Sequence, residues 1–256
     1  MNIYALGGFI LALIGVVVVT IYSGSSPSAL WDFSSFVLVV GGTIGVTMMS
    51  FPTEDVFTAT KLMRKAFANA GVKYPEIIQL FVELAEQARK EGLLSLEDRI
   101  SRIDDEFIQK GMQLLVDGTD PNILRDMLEI DIDQLAKRHT KHHSVLLTMG
   151  AYAPTMGMLG TVLGIIFTLA NLTSPDEIGA TIAIAFITTL YGAVLANFLF
   201  LPIAGRLKSM TSAEVSEREL ALEGMLSVQA GDNPQIVRQK LEAFLPTGQR
   251  GQSTGN

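Results

Sequence analysis

The chain has 256 residues, 48% of them hydrophobic and only 18% charged, against about 25% charged in an ordinary soluble domain. Its mean hydropathy is positive, so the composition is that of a membrane protein; the acidic net charge of −7 and the lack of a basic stripe interleaved with aromatics argue against a nucleic-acid partner. With no cysteine, disulfides, thiolate metal sites and cysteine nucleophiles are excluded.

Residues 1–31 carry no charged side chain, and 6–22 form a Leu/Ile/Val/Gly run. No Lys or Arg precedes the run, so it reads as an uncleaved first transmembrane helix, 1–22, rather than a secretory signal. Ser23, Gly24, Ser25, Ser26 and Pro27 make a turn cluster in an outer loop, 23–32. A second uncharged span, 33–51, follows Asp32 and ends at Pro52; its Gly41, Gly42 and Gly45 suit close helix packing.

From 52 to 143 the composition becomes that of a soluble helical domain. Ile77, Leu80, Phe81, Leu84, Ala85 and Ala88 fall on one helical face, and Gly92 stands where a helix stops. Ser95 and Asp98 resemble a capping box, which predicts a helix burying Leu96, Ile100, Ile103, Phe107 and Leu114. Gly118, Thr119, Asp120 and Pro121 read as a stop, an N-cap and an N1 proline. The helix that starts there can run without a break into the third span.

The third and fourth spans are 144–171 and 178–205, joined by an outer loop at 172–177. A polar C-terminal segment, 206–256, restarts at Gly231–Asp232–Asn233–Pro234 and closes in a tail that is disordered by composition. All 19 Lys and Arg lie in 53–143 and 206–256, and none in the two outer loops. The positive-inside rule therefore puts both termini and the helical domain in the cytoplasm. The expected fold class is an all-α membrane protein, with four transmembrane helices and a cytoplasmic helical domain inserted between the second and third.

No Asp, Glu, Lys, Arg or His lies within any of the four spans. Such residues mark proton relays and ion sites, so a self-sufficient pump is excluded; if the chain handles ions, the binding charge comes from another subunit. Thr161, Thr188 and Thr189 are then candidate hydroxyl ligands for a cation shedding water. Interhelical bonding, or a bond back to a carbonyl four residues earlier, is the structural alternative. Pro154 and Pro202 each remove one helix hydrogen bond. Each is either a kink serving conformational change or a harmless terminus, with Pro154 in a first turn and Pro202 at the helix exit.

Arg89, Lys90, Glu91, Glu97 and Asp98 cluster around the Gly92 turn, as a solvated helix end or as an electrostatic docking patch. The run containing His139, His142 and His143 beside Lys137, Arg138 and Lys141 fits lipid headgroup contact better than a metal site. No nucleophile–base pair, phosphate loop or zinc spacing is present, so neither an enzyme nor a cofactor is expected.

Several motifs in combination carry a resemblance: VVGGT at 39–43, ARKEGLLSLED at 88–98, LLVDGTD at 114–120, APTMGMLGTVLG at 153–164, and TTLYGAVLAN at 188–197 ahead of Pro202. Up to about Leu245 the chain resembles the flagellar motor stator A subunit, the MotA/PomA family. The resemblance implies an inner-membrane protein of which five copies surround two B subunits (MotB/PomB-like), whose single helices supply the ion-binding aspartate. It further implies that ion passage turns the A ring and that the cytoplasmic domains push the rotor protein FliG. The family's rotor-facing charges map onto Arg89 or Lys90 and onto Glu97 or Asp98, its two prolines onto Pro154 and Pro202. The ion-facing hydroxyls of sodium-type members map onto Thr161 and Thr189, with Thr188 adjacent, and Asp32 matches an acidic residue at the outer mouth. Proton-type relatives often place a small apolar residue at position 161, which favours Na+ over H+ as the transported cation. Alternatives are an ExbB- or TolQ-like energising subunit, against which the extra hairpin at 3–51 argues, and a non-conducting membrane scaffold.

Overall fold

The computed structural model describes residues 3–67, 74–170 and 175–248. Residue 171 of the expected third span, residues 172–174 of the expected second outer loop, and the tail from 249 lie outside the described residues. Every element formed among the described residues is a helix, so the chain is all-α. It divides into two compact units, Met1–Asn69 with His139–Ser209, and Ala70–Arg138 with Met210–Asn256.

In the first unit α1 (Ile3–Tyr22) ends at Gly24, whose φ of 74° is the left-handed conformation of a helix stop. The Ser25 N–H bonds back to the Thr20 carbonyl at 3.2 Å and closes the turn. A 3₁₀ turn, Pro27–Leu30, leads to α2 (Phe33–Ser50), which contains a π turn at Val37–Gly41. The helix α3 (Thr53–Lys65) follows Pro52.

The second unit holds α4 (Tyr74–Glu91), the single-turn α5 (Glu97–Ile100), α6 (Glu106–Val116) and α9 (Pro234–Glu242). Two long helices contribute to both units. The first, α7, is the 50-residue helix Pro121–Ala170. The second, α8, runs as Pro175–Val194, a π turn Leu195–Phe200, and Leu201–Gln229. Among the described residues α2, α7 and α8 contain stretches long and apolar enough to cross a membrane, and α1 offers a shorter apolar stretch, Gly7–Tyr22.

Where α7 meets α8 the packing is backbone to backbone. A Cβ on Gly157 would stand 2.7 Å from the Thr188 carbonyl oxygen, one on Gly164 2.6 Å from Ala185 Cβ, and one on Gly192 2.5 Å from the Ala153 carbonyl oxygen. Lipid tails are as apolar as leucine, so helices associate in a bilayer through this kind of close contact and through hydrogen bonds. Helix α2 joins at Gly42, where a Cβ would meet Met156 Sδ at 2.8 Å.

The second unit has an ordinary hydrophobic core. Ile78, Phe81, Leu84, Leu96, Ile100, Met112 and Met225 are buried, each contributing about 1.5–3 kcal/mol by leaving water. Phe81 packs against Gly224 of α8, where a Cβ would stand 2.5 Å from the ring.

Two local expectations are corrected. The single helix expected after Ser95 is two, α5 and α6, because Asp105 starts a new one: its Oδ1 accepts the N–H groups of Phe107 and Ile108 at 2.9 and 3.0 Å. Ser95 makes no capping box; its hydroxyl donates to the Gly92 carbonyl at 2.7 Å. Phe107 is still buried, whereas Ile103 and Leu114 are half-buried at the core's edge. The exit reading of Pro202 also fails, because α8 continues to Gln229. A π turn precedes that proline. In it the Leu201 N–H reaches five residues back to the Ala196 carbonyl and the Asn197 side chain donates to the Ala193 carbonyl at 2.9 Å, while the missing N–H of Pro202 leaves the Phe198 carbonyl without its usual helical partner.

Candidate functional site

Three threonine hydroxyls converge at the α7–α8 contact, and the glycines bring them there. With no side chain at Gly157 and Gly160, α8 sits close enough for its hydroxyls to reach carbonyls of α7. Thr188 donates to the Ala185 carbonyl at 2.6 Å or the Gly157 carbonyl at 3.1 Å. Thr161 bridges in the opposite direction, to the Ala185 carbonyl at 2.9 Å, and its hydroxyl contacts that of Thr189. Thr189 itself lies 3.5 Å from the Gly157 carbonyl.

Burial separates the three. Thr188 is buried, packed over Gly160, with its hydroxyl turned between the helices. Thr161 is half-buried and Thr189 exposed on the surface of the pair. The resulting patch contains hydroxyl and carbonyl oxygens and no ionised group. Neutral oxygens of this kind replace part of a hard cation's hydration shell without neutralising its charge.

Pro154 is inside α7, far from either end, so the first-turn reading does not hold. Its Cα lies where a Cβ on Gly192 would approach to 3.0 Å, so the proline is seated against the narrowest part of α8. Its missing N–H leaves the Gly150 carbonyl without the usual helical partner.

Asp32 caps α2. Its Oδ2 accepts the Ser35 N–H and the Ser34 hydroxyl, both at 2.6 Å. Bonds from Ser34 first, and from Ser35, hold its carboxyl below the usual carboxylate range against the opposing effect of burial.

In the second unit, Gly92 at φ 85° turns the chain sharply from α4 into the 3₁₀ turn Leu93–Leu96. The Gln87 side chain pins the turn by donating to the Ser95 carbonyl at 2.8 Å. Arg89 and Lys90 project before the turn and Glu97 and Asp98 after it, all four exposed and none in an ion pair among the described residues. Neighbouring Arg99 is instead paired with Glu83 across the turn. With Glu91, also exposed at the turn, the result is a surface of two cations and three anions with the exposed Leu94 among them.

The residues missed in the sequence are Gly157, Gly160, Gly164 and Gly192, which set the helix spacing, Asn197, and Tyr191, whose hydroxyl bonds to the backbone near Asp32. The spacing of the first three, at i, i+3 and i+7, was a readable signal for close packing. Tyr191 offered only its position, a polar tip inside an otherwise apolar run.

Comparison with known proteins gives a consistent result. The profile of the MotA/TolQ/ExbB proton channel family matches residues 99–220. Chemotaxis protein PomA of Vibrio alginolyticus is 39% identical, over 96% of this chain and 94% of the relative. Motility protein A of Borreliella burgdorferi is 36% identical, over 98% and 97%. Among solved structures, the flagellar MotAB stator complex from Bacillus subtilis superposes with a TM-score of 0.91 at 35% identity, covering 98% of both chains. The C. jejuni MotAB structure also reaches 0.91, at 32% identity.

Proposed function

This chain belongs to the MotA/PomA family of motility proteins, and from that membership we propose that it is the A subunit of a flagellar stator, which forms an inner-membrane cation channel with a B subunit. The observation that carries the reading is the hydroxyl patch of Thr161 and Thr189 in a unit whose spans contain no ionisable side chain. Such a patch is half of a site. It strips water from a cation whose charge is met by a carboxylate on the partner subunit's helix. Thr188 holds the two helices together beside it.

In this reading the cation is Na+, since the Thr161 and Thr189 hydroxyls at the path, with Thr188 adjacent, favour an ion that takes oxygen ligands over one that only hops between acids. Pro154 and Pro202, with their disturbed backbone bonding, let α7 and α8 respond to each passage. Five A subunits turn about two B subunits, and Arg89, Lys90, Glu97 and Asp98 engage the rotor protein FliG. Asp32 marks the outer mouth. The span boundaries and cytoplasmic termini follow from the confinement of every Lys and Arg to two segments.

Motor rotation in membranes energised by a proton gradient at negligible sodium tests the ion. Undiminished torque there overturns the sodium reading. For the docking patch, reversing Arg89, Lys90, Glu97 and Asp98 together is expected to abolish rotation while the complex still assembles in the membrane. Normal swimming in that variant removes the patch from the mechanism.

A further inference from the structure

We propose that Tyr191 is a positioning residue of the ion pathway: its hydroxyl ties the backbone on either side of Trp31 to α8 and so fixes where the outer-mouth carboxylate of Asp32 stands relative to the helix that carries Thr189. The inference rests on the pathway reading above and adds to it a residue to which that reading gives no part.

The geometry is specific. The Tyr191 hydroxyl donates to the Leu30 carbonyl at 2.8 Å and accepts the Asp32 N–H at 3.1 Å, joining residues 161 and 159 positions apart. Both peptide groups need such a partner. Leu30 ends the 3₁₀ turn and Asp32 is the N-cap of α2, so neither group belongs to a helical ladder. Next to apolar spans an unpaired peptide group is costly. A single phenol satisfies one donor and one acceptor with no backbone rearrangement.

The bridge transmits position because both ends are rigid. On α8 the next residue, Gly192, is wedged against the Ala153 carbonyl and Pro154, leaving no room for a Cβ. Thr189, two residues earlier on the same helix, points about 160° away around its axis, so the tie fixes Asp32 relative to the helix that carries the hydroxyl and not by direct contact with it. At the other end the Asp32 carboxylate is clamped by Ser34 and Ser35, so fixing the Asp32 backbone fixes the carboxylate. Trp31 packs against Phe36 with ring centroids 5.6 Å apart. These rings, with Leu30, Val194 and Leu195, border a cavity of about 300 Å³ beside the tyrosine. An apolar surround strengthens the two hydrogen bonds by limiting competition from water.

A tyrosine that only satisfies these partly buried peptide groups would affect assembly and nothing else. The test therefore reads cation dependence in the complete A–B complex, as rotation rate against external sodium at fixed membrane potential and matched complex levels. Tyr191→Phe removes only the oxygen and is expected to raise the half-saturating sodium concentration about five-fold, the equivalent of one hydrogen bond. Asp32→Asn is expected to produce a shift in the same direction, and the double variant no further shift, because both act through one carboxylate. Unchanged half-saturation in Tyr191→Phe, with or without a fall in complex level, overturns the proposal; so does full additivity with Asp32→Asn.

Should Tyr191→Phe fail to accumulate, 3-fluorotyrosine at 191 keeps the shape and both bonds while weakening the oxygen as an acceptor. A shift in the same direction supports the proposal and no shift overturns it. Thr189→Val separates the two readings. If that variant keeps the unaltered sodium dependence, the pathway itself fails; if it loses rotation while Tyr191→Phe stays normal, only the positioning role fails.

Discussion

Gly157→Ala places one methyl group where the structure has no room for it. The new Cβ would lie 2.7 Å from the Thr188 carbonyl oxygen and 3.1 Å from Thr189 Cα. Both are backbone atoms, so no rotamer change relieves the contact. Returning the first distance to about 3.4 Å, the near edge of ordinary van der Waals contact, parts α7 and α8 by about 0.7 Å. That movement stretches the Thr188 hydroxyl bond to the Gly157 carbonyl, now 3.1 Å, beyond useful range. Overpacking costs about 1–3 kcal/mol, and an interhelical hydrogen bond in a membrane is worth about 0.6 kcal/mol.

Alanine is also the better helix former by about 1 kcal/mol, so the control must be another helical glycine. Gly205→Ala serves, because a Cβ there meets nothing within 4 Å. Thermal unfolding of both variants in detergent micelles should show Gly157→Ala less stable than Gly205→Ala by about 2–3 kcal/mol. If the two lie within about 0.5 kcal/mol of each other, the close helix contact is not what orders the hydroxyl patch.

Gly92→Ala forces a Cβ residue into φ 85° and ψ 165° and should cost about 1–3 kcal/mol, read by chemical unfolding, with the Gly92 turn the first segment to gain hydrogen exchange. Asp105→Ala removes the acceptor for two α6 N–H groups and is expected to destabilise by about 1 kcal/mol; an unchanged unfolding midpoint would contradict the split of α5 from α6. Burial lowers His142 and His143 below the ordinary histidine range, with Asp55 opposing it at His142. A depressed histidine favours the folded state when neutral, so stability is fully present above about pH 6.5 and falls as pH drops through the folded values. Unfolding midpoints that stay flat from pH 7.5 down to 5.5 would refute this. Thr188→Val should lower stability by about 0.6–1.7 kcal/mol through its buried bonds, whereas Thr189→Val, at an exposed hydroxyl, should leave the unfolding midpoint near that of the unaltered protein and instead reduce rotation.

The helix stops at Gly24, Gly92, Gly118 and Gly231 were legible because each requires positive φ, between 72° and 85° here, and glycine is the residue that tolerates it. Asp120 with Pro121 and Asn233 with Pro234 were legible as helix starts for a similar reason: a cap and a fixed φ act within four residues. Ser95 shows the limit of that reasoning. Its spacing to Asp98 matched a cap, yet Asp105 makes a better one farther along, and competition between caps is decided by which helix can bury its face.

Sequence alone determined the class of molecule and the absence of charged side chains from its apolar runs, because these are properties of composition that folding does not alter. Only the tertiary structure distinguished Thr188 from Thr161 and Thr189. Adjacent residues on a helix point about 100° apart, so which hydroxyl faces the partner helix depends on where Gly157, Gly160 and Gly192 let the two backbones meet. The Tyr191 bridge is beyond sequence reading for the same reason, since its partners lie some 160 residues away and become neighbours only once α2 and α8 are side by side.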